Sequence, residues 1–173
     1  MLDQITATFP QTLEKGCLQT LTQTEFCIFD AADKRCYIQT DPSGTRHFTV
    51  ENPSERPIHF LAIDKCLFMD DQKGLKRCDF AVFDAKTFCF VEIKETESAT
   101  QRSVLTRDAK TQLKATIELF RDRMTFTTRF VEAHLCVGDY STRPARLTND
   151  LNEQIEFAEL GAKLYRGNSK RFA

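Results

Sequence analysis

The stretch from Arg77 to Glu95 constrains the fold more than any other part of the chain. Two runs of aromatic, β-branched and small apolar residues flank a short polar break at Asp84, Ala85 and Lys86, the pattern of a β-hairpin rather than of a helix. If Ala85 and Lys86 form a two-residue loop, Asp84 pairs with Thr87, and counting outward places Asp79 opposite Glu92. Side chains alternate along a strand, so Lys94 shares the face of Glu92. The hairpin is otherwise Phe, Val, Ile, Ala and Cys. Two carboxylates and an ammonium on one patch of it demand a partner, because charge is rarely buried unless paired or metal-bound.

The surrounding sequence supplies a mixed architecture. Residues 58–68 read as a strand, and a turn at 70–74 returns the chain into the one that starts near Lys76. Three antiparallel strands then form a meander with 77–84 in the middle. Polar residues 95–103 read as a mobile loop. From Thr106, a candidate N-cap, to Met124 the period becomes helical, with Ala109, Leu113, Thr116, Ile117, Phe120 and Met124 on one face. Gln112 borders that stripe on one side, and Lys110, Lys114 and Arg121 form a basic row on the other. A strand over 129–137 follows, ending at Gly138 and Asp139, and then a helix over 149–160 capped by Asn149 or Thr148. A basic tail with Arg166, Lys170 and Arg171 closes the chain.

Before residue 58 the pattern is weak. Residues 11–21 read as a short helix, 26–29 as a short buried strand, and 36–40 with 47–50 as a hairpin turned by Asp41, Pro42, Ser43 and Gly44. The expected fold is α/β or α+β: one domain spanning 1–173, with a mixed central sheet containing the meander and flanked by helices. Its core lies at about 58–137, and 1–57 is an N-terminal extension of uncertain structure.

Composition narrows the function. The net charge of −1 is not that of a free-standing, high-affinity DNA binder, but it hides an asymmetry, since residues 1–100 hold 11 Lys and Arg against 16 Asp and Glu while 101–173 hold 13 against 9. The acidic half contains the hairpin and suits a cation; the basic half suits a polyanion. Seven scattered cysteines with no Cys-x-x-Cys pair predict free thiols in a reducing cytoplasm, with neither a zinc site nor a disulfide framework. No apolar run approaches the roughly 18 residues of a membrane span, and no signal peptide is expected.

Paired carboxylates on adjoining strands with a nearby lysine are what metal-assisted phosphodiester hydrolysis needs. Oxygen ligands suit Mg²⁺ or Mn²⁺, and an ammonium stabilises developing negative charge or orients water. Asp79, twelve intervening residues, then Glu92, Ile93 and Lys94 resemble the PD-(D/E)xK nuclease superfamily, whose restriction-endonuclease-like core carries this motif on a hairpin followed by a helix and further strands. The resemblance covers about 58–137. It implies a nuclease, with DNA expected ahead of RNA as its nucleic-acid partner, and with Asp79, Glu92 and the Ile93 carbonyl as ligands of Mg²⁺ or Mn²⁺. Lys94 would be the catalytic lysine and Gln112 the glutamine that some branches place beside the site. It also implies a general association with DNA processing, restriction or phage defence.

Two departures from the pattern stand out. Cys78 replaces the proline before Asp79, and the upstream acid of many members has three candidates, Glu14, Glu25 and Asp64. No reader domain is recognisable, so targeting would come from a partner protein, a homo-oligomer or the N-terminal segment. The competing expectation is a catalytically inactive module in a larger complex, with Lys94 forming a cross-strand ion pair. His47, His59 and His134 read as isolated structural histidines.

Overall fold

The computed structural model describes residues 1–69, 75–128, 130–138 and 144–173. A seven-stranded mixed sheet forms the centre, built from β1 (Leu18–Leu21), β5 (Ile58–Ala62), β6 (Phe80–Phe83), β7 (Thr87–Glu95), β8 (Phe130–Gly138), β10 (Lys163–Arg166) and β9 (Arg146–Leu147), in that spatial order. The middle strand is β7. It is buried from Thr87 to Ile93, which is why it reads as a nearly unbroken apolar run instead of an alternating one.

β5, β6 and β7 form the expected antiparallel meander. The β6–β7 register runs from Phe83 opposite Phe88 to Phe80 opposite Val91, the register counted from a two-residue loop. Asp84 holds that loop: its Oδ1 accepts from the backbone N–H groups of Lys86 and Thr87, and its own N–H donates to the Thr87 carbonyl.

β7 and β8 are parallel and are joined by α3 (Ala99–Arg123); β8 and β10 are parallel and are joined by α4 (Leu151–Glu159). Helix α3 covers one face of the central strands, where Phe120 meets the rings of Phe88 and Phe90 at 6.0 and 5.2 Å. A second, four-stranded sheet packs on the other face. It is ordered β11 (Ser169–Arg171), β4 (Phe48–Glu51), β2 (Glu25–Asp30), β3 (Cys36–Ile38), and Phe48 brings it against Phe80 at 5.6 Å and His134 at 5.9 Å. One apolar core runs from Ile5, in α1 (Leu2–Thr8), to Phe172.

Several local expectations are corrected. Residues 36–40 and 47–50 do not pair with each other; β3 and β4 lie on opposite edges of β2, whose Phe26, Cys27 and Ile28 are buried and take the central position. Residues 11–21 split into α2 (Gln11–Glu14) and β1, because Gly16 leaves the helix at φ 59°. Helix α3 starts at Ala99, so most of the expected 95–103 loop is helical. Ser98, not Thr106, is its cap, with its side chain accepting from the Gln101 N–H. Asp150, not Asn149 or Thr148, caps α4 by accepting from the N–H groups of Asn152 and Glu153. The N-terminal segment is no appendage to a 58–137 core, since β1 pairs with β5 and β4 pairs with β11 from the far end of the chain.

Cys17 and Cys66 form a disulfide, contrary to the expectation of seven free thiols; Cys27, Cys36, Cys78, Cys89 and Cys136 are free and buried. The partners stand 49 residues apart in sequence, and no spacing rule connects them. The expected turn at 70–74, Arg129 and Asp139 lie outside the described residues.

Candidate active site

The hairpin charges come together where the regular β6–β7 ladder stops. Phe80 is opposite Val91, and the Asp79 N–H also donates to the Val91 carbonyl at 3.2 Å, so two residues face one and the strand bulges at Asp79. On its other edge the Asp79 carbonyl accepts from the N–H groups of both Ile63 and Asp64. The Asp79 carboxylate turns back to β7, where Oδ2 accepts from the Ile93 N–H at 2.6 Å. Burial pushes the Asp79 carboxyl up to about 7, against the lowering effects of that hydrogen bond and of Lys94.

Glu92 is fully buried on the neighbouring strand. Lys94 Nζ lies 2.7 Å from its Oε1. Apart from that ion pair, neither Glu92 oxygen receives a hydrogen bond among the described residues. Burial and then the Asp79 charge drive the Glu92 carboxyl well above the ordinary carboxylate range. Burial pulls the Lys94 ammonium down, but Glu92 and Asp79 outweigh it and hold it above its ordinary value. Lys94 therefore stays cationic at neutral pH.

Two carboxyl groups that resist ionisation, one with an oxygen that has no partner among the described residues, fit a divalent cation, because a positive ion removes the electrostatic cost of both. Asp79, Glu92 and the Ile93 carbonyl would hold it. The donor set is all oxygen, which suits Mg²⁺ or Mn²⁺.

Gln112 sits close by without touching the charged groups. Its Nε2 donates to the Arg77 carbonyl at 2.8 Å, and its Oε1 is buried without a partner among the described residues. One turn on, the Thr116 hydroxyl accepts from the Cys78 N–H at 2.7 Å. Together they clamp α3 to the backbone that carries Asp79.

Of the three candidate upstream acids, Asp64 is the one whose charge acts on both Asp79 and Glu92, and it also pairs with Arg77 at 3.8 Å. Glu14 and Glu25 are exposed. An acid missed in the sequence is Asp30 at the end of β2. Burial raises its carboxyl, Lys94 lowers it, its charge acts on Asp79, and its Oδ1 is buried without a hydrogen bond among the described residues. Only the polar end of an apolar run marked it in the sequence. Asp79, Glu92 and a third acid do not draw within 4.8 Å of one another among the described residues.

The basic row on α3 is not a free phosphate track. Lys110 pairs with Glu153 at 3.0 Å, Lys114 pairs with Glu156, and Arg121 donates to the Gly161 carbonyl. His47 Nδ1 accepts from the Asp30 N–H, and His59 Nδ1 meets the Thr20 hydroxyl.

On the opposite face of the sheet, Cys89, Glu132 and His134 place ligand-type atoms within 4.8 Å of one another, a cluster the sequence did not signal because Cys89 joins the Glu132 and His134 pair only across the parallel β7–β8 register. Both Glu132 oxygens already accept from Lys170, at 2.8 and 2.7 Å, and Oε2 lies 2.9 Å from His134 Nε2. It is a self-neutralised network, and its mixed sulfur, nitrogen and oxygen set is not one that selects Mg²⁺.

No known family model, curated protein or solved structure matches the chain. Among the described residues no helix is long and apolar enough to cross a membrane.

Proposed function

We propose that the chain is a metal-dependent nuclease with a PD-(D/E)xK-type site on a restriction-endonuclease-like core, hydrolysing nucleic-acid phosphodiester bonds. The observation that carries the reading is the Glu92 carboxylate, fully buried and, apart from its ion pair with the cationic Lys94, without a hydrogen-bond donor among the described residues, next to the raised Asp79 carboxyl. A bound Mg²⁺ or Mn²⁺ would supply Lewis acidity and an activated water. Asp79 and Glu92 present the oxygens, and the Ile93 N–H fixes the orientation of Asp79. Lys94, held as an ammonium, stabilises negative charge that builds on the phosphate or orients the attacking water. Gln112 and Thr116 keep α3 seated against the strand and so preserve the spacing of the two acids.

The Lys94–Glu92 ion pair is the one observation that favours the second reading, a binding module that keeps the fold and does no chemistry. Purified protein incubated with plasmid, linear duplex, single-stranded DNA and RNA, in Mg²⁺, Mn²⁺ or EDTA, separates the two. Cutting that needs the metal and disappears in Glu92→Ala and Lys94→Ala supports the nuclease. Cutting that persists in both variants belongs to a contaminant and sinks it.

A further inference from the structure

Beside the acid pair lies a cleft of about 470 Å³ at the carboxyl ends of the parallel strands β7, β8 and β10. Open α/β sheets bind their ligands at this edge. The wall includes Ile93 and Lys94 from the motif, Val137 from β8, and three arginines: Arg102 from α3, Arg146 from β9 and Arg166 from β10. Arg166 is committed to Glu153, at 2.6 and 2.9 Å. Arg102 and Arg146 are exposed, and neither side chain forms an ion pair among the described residues.

From this geometry we infer that the cleft is a phosphate-binding channel for single-stranded nucleic acid, with Arg102 and Arg146 as its anchors. The inference rests on the nuclease reading for its substrate class and deepens it. Guanidinium groups on two different elements, unpaired among the described residues and converging on one concavity that also holds Lys94, suit the evenly spaced charges of a sugar–phosphate backbone. The apolar wall at Ile93 and Val137 gives a base a dry surface. Size selects the strand: about 470 Å³ lies in the range of sites for small ligands and seats a nucleotide or two, not a duplex. A single strand can thread such a cleft, whereas duplex DNA would have to open first.

The test measures binding in EDTA, where cleavage does not interfere, by fluorescence anisotropy with a labelled 12-mer oligo(dT) and a 12-bp duplex, each titrated over a series of salt concentrations. The expected result is tighter binding of the single strand by about tenfold or more. Arg102→Ala and Arg146→Ala should each reduce the slope of log affinity against log salt by about 0.7, the value for one phosphate contact on a single strand. Both are surface substitutions, and unchanged melting curves would show that the fold is kept. Equal or tighter duplex binding, or salt slopes unaltered in both variants, overturns the inference. Its failure is distinct from failure of the nuclease reading, since metal-dependent cutting of duplex with no single-strand preference removes only the channel. Single-strand binding through these arginines without cutting removes only the chemistry.

Discussion

The Asp79 carboxylate accepts a 2.6 Å hydrogen bond from the backbone N–H of Ile93, so the first acid of the site is fixed to the strand that carries the second. An alanine at 79 leaves that N–H without its acceptor, at a cost of about 1–3 kcal/mol. Asparagine keeps an acceptor oxygen and removes the charge. Asp79→Asn should therefore melt close to the parent while Asp79→Ala melts lower, and both should lose at least about 100-fold of metal-dependent cutting. Paired thermal melts and cleavage rates would check this, and full activity in Asp79→Asn would remove Asp79 from the metal site.

The raised Asp79 carboxyl contributes to the pH dependence of the metal-free protein. Its folded value of about 7 exceeds the ordinary aspartate value of 3.8, so the folded chain binds the extra proton between those limits. Stability is thus greatest below the unfolded value and falls as pH rises towards 7, by at most about 1.4 kcal/mol for each pH unit in that window. In EDTA, denaturant midpoints should fall from pH 5 to pH 8 more for the parent than for Asp79→Asn. Mg²⁺ should restore more stability at pH 8 than at pH 5, since ligands bind metal deprotonated. Identical pH profiles for parent and variant would contradict the burial argument.

Glu153 shows the opposite sign. Burial works against its charge, but hydrogen bonds from Thr148, Arg166 and Lys110 outweigh burial and hold its carboxyl at about 2, below the ordinary glutamate value of 4.5. Its contribution is present above the unfolded value and is lost as pH falls through the folded one. Glu153→Gln should cost about 2 kcal/mol at pH 7, allowing for the solvent exposure of Arg166, and the difference should vanish near pH 2. Urea unfolding of parent and variant at the two pH values measures it. No pH dependence in the difference would show that Glu153 acts by packing alone.

The hairpin was legible because its information is local: a two-residue loop fixes the register, and Asp84 closes the loop with its own side chain. The helical stripe of Ala109, Leu113, Thr116, Ile117 and Phe120 was legible for the same reason and is the buried face of α3. What sequence did not carry was pairing between distant segments. β2 separates β3 from β4 because its buried Phe26, Cys27 and Ile28 claim the middle of the second sheet, a tertiary choice that the Asp41 to Gly44 turn does not reveal. Asp30 approaches the site only through that sheet. Arg102 and Arg146, in segments that read as loop or carried no pattern, meet only once α3 and β9 are placed around the strand ends. Ser98 was readable in principle, as a serine followed three residues later by Gln101, but the polar run after Lys94 masked that cap.

The disulfide between Cys17 and Cys66 joins the start of β1 to the turn that follows β5, and that turn carries Asp64 beside Asp79. The bond closes a loop of 49 residues, for which chain entropy gives about 4 kcal/mol of stabilisation by restricting the unfolded chain. Reduction should therefore lower the unfolding free energy by up to that amount without removing the sheet, because Leu18 to Leu21 still pair with Ile58 to Leu61. Denaturant melts with and without dithiothreitol would measure the loss, and alkylation before and after reduction should reveal two additional thiols by mass. Cys17→Ser and Cys66→Ser should each reproduce the effect of the reductant and be insensitive to it. A parent whose stability does not respond to reductant, with all seven thiols alkylated in the denatured and unreduced chain, would show that the bond does not form.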